Sequence, residues 1–573
     1  QVVWKKCNEW APADGFILEA VALEVAKSNC NDLVVAGPGA GKTELLAQRA
    51  CYLLETNTCM NPKKILAISF KKDAAFNLKE RVEKRCGKEL VARFDSMTYD
   101  AFAKSMLDHF MNGLPIETRP NKDYEVDLTG KKSNGKDIIS FQDISKLAAQ
   151  IIRTNPLIRR SLQLTYSYVF LDEFQDTTTV QYELLKICFC GSTAVITAVG
   201  DSKQRIMLWA GAKRTVFEDY QKDFSADKKT LLMNHRSAPR LVEIQKAMYA
   251  NLNELPVDIT PSPKWEDDMG RAYLRFFDDE NCETEVICSE IINLIKGGTK
   301  PRDICILVKQ TVDVYSGDII TRLDDNNIKA RNETLYQDLL KEEIVQILSC
   351  IFMLTRTKRH PNEWQNIINF FSELELLDEN SKIEEYVRVE NKVDNLIQTF
   401  ASSIKNVSEY ETFSDSIDYL LERMSYDRLS NLFLEYKNKA YFDKKISEFK
   451  RLLWDEYLGV SDWEVAIDNF TGEDSIPIMT IHKSKGLEYE AVFFIGLEDS
   501  AFWNFTKQPD EDKCTFFVAL SRAKVRVDFT FCKGRQTKFT DKQSNSKINE
   551  LYDMLLKTGL VEVVNDGMSS EHF

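Results

Sequence analysis

The stretch that constrains this chain most is an apolar strand, a glycine-rich loop and a helix start in immediate succession. Asp32-Leu-Val-Val-Ala36 is short, apolar and β-branched, and reads as a buried strand. It runs into Gly37, Pro38, Gly39, Ala40, Gly41, Lys42 and Thr43, after which Leu45–Leu54 shows the spacing of an amphipathic helix. Glycines let backbone N–H groups turn onto phosphate oxygens, and the helix N-terminus adds the positive end of its dipole. In such a loop Lys42 reaches the β- and γ-phosphates, and the Thr43 hydroxyl is offered to magnesium. A plain strand-ending glycine turn would require none of these residue types.

A second stretch supplies the other half of a magnesium–nucleotide site. Tyr168-Val-Phe-Leu171 reads as a buried strand that delivers Asp172 and Glu173 to its carboxyl end, with Gln175 and Asp176 on the polar turn beyond. One carboxylate can hold the hard cation and the next can polarise an attacking water. Alone this pair is weak, because acidic residues often cap helices. With the upstream loop it specifies a nucleoside triphosphate site.

Composition narrows the classes. At 573 residues and 43% hydrophobic content the chain can bury three or four sub-domains. No run of 18 apolar residues occurs, so no membrane span is expected, and no signal peptide is visible. The 13 cysteines are scattered without a Cys-x-x-Cys pair, which argues against zinc or an iron–sulfur cluster and suits a reducing, cytoplasmic setting. A formal charge of −14 argues against a general coat for polyanions, yet leaves room for a local basic groove on DNA. Such a groove is legible at the next predicted strand, Lys64–Phe70, which ends in Ser69, Phe70, Lys71 and Lys72. A hydroxyl, an aromatic face and two cations on one loop can stack a base and hold a phosphate. Further on, Thr98 or Ser96 is placed to cap a helix.

The ordered series of such segments resembles superfamily 1 DNA helicases of the UvrD/Rep (PcrA-like) type. Ala36–Thr43, Ile68–Ala75, Thr98–Phe102 and Asp172–Thr177 are similar to that family's motifs I, Ia, Ib and II. Val199–Ala212, Leu232–Ser237, Ile478–Glu488 and Phe517–Ala523 are similar to motifs III to VI. The resemblance implies an α/β fold with two RecA-like P-loop parallel-sheet cores and two mainly helical insertions, 1B and 2B. Its expected boundaries are 1–110 with 165–245 for the first core, 111–164 for 1B, 246–340 with 471–573 for the second core, and 341–470 for 2B. It implies ATP and Mg²⁺, with Thr43 and Asp172 on the metal and Glu173 as catalytic base. Gln204, Arg236 and Arg522 are expected to sense the γ-phosphate, and Glu44, His235 and Glu488 to line the nucleotide. Phe70, Thr98, Trp209 and His482 are expected to face DNA. The partners implied are single-stranded and duplex-junction DNA, with movement 3′ to 5′. Compact relatives work beside a nuclease in anti-phage defence, so a nuclease or other DNA-processing partner is a further expectation.

Several positions depart from the family pattern, most of them around the nucleotide base. Ile17 stands near the place of an adenine-reading glutamine, Glu44 where relatives often carry arginine, and His235 where tyrosine is usual. Weaker discrimination between ATP and GTP is the expected consequence. On the DNA side Met207, Ala210 and Asp100 replace the usual residues, while Trp209 remains as a base platform. The reduced insertions and altered DNA contacts keep an alternative in view, an ATP-gated DNA-binding regulatory subunit of a nuclease complex that does not unwind. Helical spacing is expected at Ile139–Arg153, Leu339–Leu354, Trp364–Phe371, Ile383–Ile404, Phe413–Leu421 and Leu429–Trp454. After the last motif only a helix at Ser546–Leu556 and a tail are expected, with too few residues for a nuclease domain.

Overall fold

The computed structural model describes residues 4–122, 124–127, 133–207, 211–252, 258–356, 360–377, 381–538 and 540–565. It forms two compact units, the first comprising Gln1–Glu283, Leu307–Gln310 and Ile481–Phe573, the second Thr284–Ile306 and Thr311–Thr480.

In the first unit the opening strands are β1 (Asp32–Ala36), β2 (Lys64–Ser69), β3 (Phe94–Thr98), β4 (Glu125–Asp127), β5 (Ile138–Ser140), β6 (Tyr166–Leu171), β7 (Val195–Gly200) and β8 (Asp227–Leu231). Six of them form an all-parallel sheet in the order β3-β2-β6-β7-β1-β8. The apolar runs of β1, β2, β6 and β7 suit a sheet covered by helices on both faces. This order sets the loop after β1 and the loops after β6 and β7 side by side at one sheet end, where ligands bind in doubly wound folds. Downstream, β9 (Met233–Asn234) pairs with β10 (Thr260–Pro261), and β11 (Arg271–Phe277) enters a second parallel array.

In the second unit β13 (Lys329–Asn332) and β14 (Ser475–Thr480) are parallel, and Ile304–Ile306 of β12 (Ile304–Val308) follow in the order β13-β14-β12. Between β13 and β14 the chain is helical, and the helices enclose an aromatic core. Phe352 is 1% exposed and meets Phe400, Phe449 and Trp463 at ring-centroid distances of 5.0, 6.3 and 5.5 Å. Back in the first unit, β15 (Tyr489–Ile495), β16 (Ala523–Cys532) and β17 (Val561–Asn565) complete the order β15-β16-β11-β17.

Several expectations change. The helix after the phosphate loop, Lys42–Glu55, is not amphipathic in its setting: Glu44 to Leu54 are all buried. Its polar residues bond within the fold, although Arg49 Nε and Nη2 have no hydrogen-bond partner among the described residues. Arg49 donates to the carbonyls of Val25 (2.6 Å) and Ser28 (2.8 Å) at the end of helix Ala20–Lys27, where a cation also suits the helix dipole. The helix expected over Leu429–Trp454 is two, Tyr426–Leu432 and Lys439–Val460. The extended backbone of Phe433 breaks the first, and the Asn438 side chain caps the second by accepting from the Tyr441 N–H. Val561–Asn565 of the tail forms β17, which pairs with β11. Helix Phe141–Thr154, in the segment expected to be a separate insertion, buries Ile144, Ala148, Ile151 and Ile152 in the same core as Leu33, Leu66 and Val169 of the first sheet.

Candidate functional site

The phosphate loop is shaped by two left-handed glycines. Gly39 (φ +72°) and Gly41 (φ +76°) take a conformation that side chains disfavour. Gly39 is also closed by sterics, because a Cβ there would run into Asn234 Oδ1 and Arg236 Cβ. The His235 N–H donates to the Gly39 carbonyl at 2.8 Å, so the segment after β8 braces the loop. Gly41 is the N-cap of helix Lys42–Glu55 and offers no capping side chain. The first-turn amides therefore face outward as anion donors. Lys42 folds back over the loop, its Nζ 3.4 Å from the Gly37 carbonyl.

The carboxylates stand where β6 ends between β2 and β7. Asp172 is buried, its N–H donates to Ile68 O, and its Oδ1 accepts from the Glu173 N–H at 2.8 Å. Burial, with Glu173 adding to it, pushes the Asp172 carboxyl up to about 7. Burial opposes ionisation of Glu173 too, but Lys42, Lys485, a hydrogen bond from Gln175 and Arg522 outweigh it and hold that carboxyl low. Glu173 takes a left-handed conformation (φ +48°), a local strain of about 1 kcal/mol or more that often marks functional turns. By donor type the Thr43 hydroxyl and the Asp172 carboxylate fit a hard divalent cation.

From Glu173 a chain of hydrogen bonds runs across the first unit. Gln175 Nε2 donates to Glu173 Oε2 at 2.6 Å, and Gln175 Oε1 accepts from the Asp201 N–H at 2.9 Å. Gln204 Nε2 donates to Asp201 Oδ2 at 2.8 Å, and Arg522 Nη2 donates to Gln204 Oε1 at 3.1 Å. Lys485 Nζ sits 2.5 Å from Asp176 Oδ2 and 2.9 Å from the Gln204 carbonyl. Arg522 is 1% exposed; burial and then nearby Arg236 lower its pKa to about 9. Arg236 bonds Glu488 through Nε (2.8 Å) and the Ser521 carbonyl through Nη1 (2.9 Å). Burial would raise Glu488, yet Arg236 and Lys524 hold it at about 2.

The structure thus brings together Lys42, Asp172, Glu173, Gln204, Arg236, Glu488 and Arg522, which come from distant parts of the chain. It adds three groups to which sequence reasoning gave no role: Gln175, Asp201 and Lys485. All three lie inside quoted motifs, and a polar residue in a buried loop is the signal that marks them.

Glu44 points to helix Lys72–Cys86, where its Oε2 accepts from Arg85 (2.7 Å) and Arg81 (3.2 Å). Gln48 joins it through Nε2 to Glu44 Oε1 (2.8 Å) and accepts from the Ala13 N–H (2.8 Å). Ile17 is 88% exposed. His235 is part-buried, and burial followed by Lys264 lowers its pKa. Thr98 caps helix Tyr99–Phe110, its Oγ1 accepting from the Ala101 N–H at 3.1 Å. Phe70 is half-buried just past β2. Beside it, Lys71 Nζ approaches the His482 carbonyl at 3.4 Å. Burial, then Lys309, lowers His482 to about 4, so its ring is neutral at pH 7. Trp209 lies outside the described residues.

Comparison with known proteins gives the family. Residues 19–125 and 123–225 match the UvrD/REP helicase N-terminal domain, and residues 230–399 and 373–534 match the UvrD-like helicase C-terminal domain. The chain is 24% identical to the ATP-dependent DNA helicase Rep of Buchnera aphidicola, over 96% of this chain and 98% of the relative. It is 23% identical to a probable DNA helicase II homolog of Mycoplasma capricolum (87% and 82%) and 23% identical to the ATP-dependent DNA helicase PcrA of Staphylococcus aureus (90% and 82%). No helix among the described residues is long and apolar enough to cross a membrane. With matches that run through both halves of the sequence and meet at the network just described, the protein belongs to the UvrD-like helicase family.

Proposed function

We propose that this chain is an ATP- and Mg²⁺-dependent DNA helicase that translocates 3′ to 5′ along single strands and opens duplex junctions. The observation that carries the reading is the hydrogen-bonded path Glu173–Gln175–Asp201–Gln204–Arg522. It ties the carboxylate beside the phosphate loop to a cation delivered by a segment some 350 positions later. In this assignment Lys42 and the first-turn amides bind the phosphates, and Glu173, held ionised and oriented by Gln175, accepts the hydrogen bond that aligns the attacking water. Arg522 and Arg236 face the charge that develops on the transferred phosphoryl group. Gln204 touches both sides and links hydrolysis to movement of the segments that carry the arginines. Magnesium, held by Thr43 and Asp172, would neutralise phosphate charge. The first core in this reading is 1–110 with 165–245, and the second is 246–340 with 471–573.

The decisive experiment measures ATP hydrolysis with and without single-stranded DNA beside strand displacement on duplexes with a 3′ or a 5′ tail. Hydrolysis should rise with DNA, and displacement should need the 3′ tail. Glu173→Gln should bind ATP yet lose about 10²-fold or more in turnover. Displacement from the 5′ tail alone would overturn the polarity, and ATPase indifferent to DNA would overturn the motor itself.

A further inference from the structure

Tyr249 opens the short 3₁₀ helix Tyr249–Leu252 that follows helix Pro239–Met248, and it is buried. The longer helix is fixed at its start, where the Ala238 N–H donates to the Lys524 carbonyl and Ser237 Oγ to the Ala523 carbonyl, both at 2.8 Å. Three segments of the candidate site converge on the tyrosine held at its end. The Tyr249 hydroxyl lies 3.5 Å from the point where a β-carbon on Gly37 would stand, at the first glycine of the phosphate loop. Its ring meets that of Phe517 edge-on at 5.9 Å, on the helix Pro509–Ser521 that leads directly into Arg522. The same ring faces the Lys203 ammonium, whose Nζ is 4.9 Å from the centroid.

Lys203 is buried and joins the hydrogen-bonded path at Asp201, which is also buried. Its Nζ pairs with Asp201 Oδ1 at 2.9 Å, and its backbone N–H donates to the same oxygen at 3.1 Å. The other oxygen, Oδ2, holds Gln204, and the Asp201 N–H holds Gln175. Asp201 thus carries both arms of the path, one reaching Glu173 and the other Arg522. Burial opposes ionisation of Asp201, but Lys203 first and Lys42 next keep its carboxyl below the usual range. An ammonium taken out of water carries a desolvation cost that one carboxylate offsets only in part. An aromatic face contributes most to it where water is excluded. A core position asks only for apolar volume, which leucine supplies; an ammonium against a ring asks for the π face.

Resting on the helicase reading above, we infer that Tyr249 is a positioning residue for ATP hydrolysis. Its ring holds the Lys203 ammonium on Asp201, and Asp201 in turn sets Gln175 and Gln204 for Glu173 and Arg522. Through Phe517 and Gly37 the same side chain registers the Arg522 helix and the phosphate loop against that one carboxylate.

The test measures steady-state ATP hydrolysis by the full chain with saturating single-stranded DNA. Tyr249→Leu should lower kcat about 5- to 30-fold, the worth of one desolvated cation–aromatic contact, and change KM for ATP by less than about 3-fold. Tyr249→Phe keeps the ring and should retain kcat to within about 3-fold. Lys203→Gln keeps a donor for Asp201 and removes the charge, so it should lower kcat in the same way. It also tests the assignment if Tyr249→Leu fails to fold. In the Lys203→Gln background Tyr249→Leu should cost less than about 2-fold more, because the ring has no ammonium left to hold. Equal losses from Tyr249→Leu in both backgrounds, a Tyr249→Phe variant as slow as Tyr249→Leu, or an unchanged kcat in Lys203→Gln would each overturn the assignment. If wild type hydrolyses no ATP, or ignores DNA, the helicase reading falls first, and the two failures are told apart.

Discussion

The two units manage their interiors by opposite means. In the first, buried charge gathers where distant sequence segments meet: Arg522 on Gln204, Lys485 on Asp176, and Asp201 between Gln175 and Gln204. In the second, the interior between Tyr336 and Phe470 is aromatic and aliphatic, with Phe352, Phe413, Phe449 and Trp463 at its centre. A buried ion pair is poor value as a source of stability, because desolvation cancels most of the Coulombic gain. An aromatic cluster stabilises without fixing any charge in place. The first unit therefore spends stability on geometry, and the second supplies stability with little electrostatic precision. Substitutions should separate the two accordingly, one kind costing activity and the other costing folding.

The largest effect is expected at Arg522. Arg522→Ala removes the cation from Gln204 and from the neighbourhood of Glu173, while the phosphate loop keeps its amides and Lys42. DNA-stimulated hydrolysis should fall about 10³-fold or more, as in phosphoryl-transfer enzymes stripped of such an arginine. A fluorescent nucleotide titration should show that much of the binding remains. Ordinary turnover in this variant with DNA present would mean that the path ending at Arg522 is structural only.

Next comes the aromatic centre of the second unit. Phe352→Ala should cost about 3–5 kcal/mol of that unit's stability, the range for a fully buried phenylalanine. Urea unfolding followed by circular dichroism should show a helical transition moved to lower denaturant. A loss below about 1 kcal/mol would show that the cluster repacks freely and does not organise the unit.

The same contrast explains what the sequence made legible. The phosphate loop and the Asp172–Glu173 pair could be named in advance, because phosphate chemistry dictates residue types at short spacings, whereas both arginines were named only through the resemblance to a family. The helices of the second unit could be placed by their 3.6 period, but not the break at Phe433–Asn438, which depends on a local cap rather than on periodicity. Gln175, Asp201 and Lys485 could be marked as polar residues in motif loops, but their partners could not be read, because hydrogen bonds such as that of Lys485 to Asp176, 309 positions away, leave no trace in local pattern. Glu44 was read as a nucleotide contact from the family pattern, in which an arginine often stands at its position. The arginines that claim it, Arg81 and Arg85, lie on another helix. The pairing of β17 with β11 was invisible for a similar reason, since Val561–Asn565 has no turn or partner nearby in sequence.

The smallest effect sharpens the comparison from its exception. The second unit also holds a charged cluster, Glu342, Glu343 and Glu435, packed with Tyr436 and Tyr441. Burial, then Glu435 and Glu342, raises the Glu343 carboxyl to about 7. In the unfolded chain the same group titrates near 4.3. Its folded form therefore holds a proton that the unfolded form has lost between those two values, so this group's contribution to stability is most favourable below about pH 4.5 and declines as pH rises toward 7. Because the group is partly reached by solvent, the decline is set at on the order of 1 kcal/mol. Glu343→Gln keeps the shape and cannot ionise, so it should flatten this part of the pH dependence and make the unit more stable than wild type at pH 8. Unfolding midpoints at pH 5.5 and pH 8 for the two proteins provide the measurement. An unchanged slope in the variant would assign the titration to Glu342 or Glu435, and the second unit would then carry its buried charge on a different carboxylate.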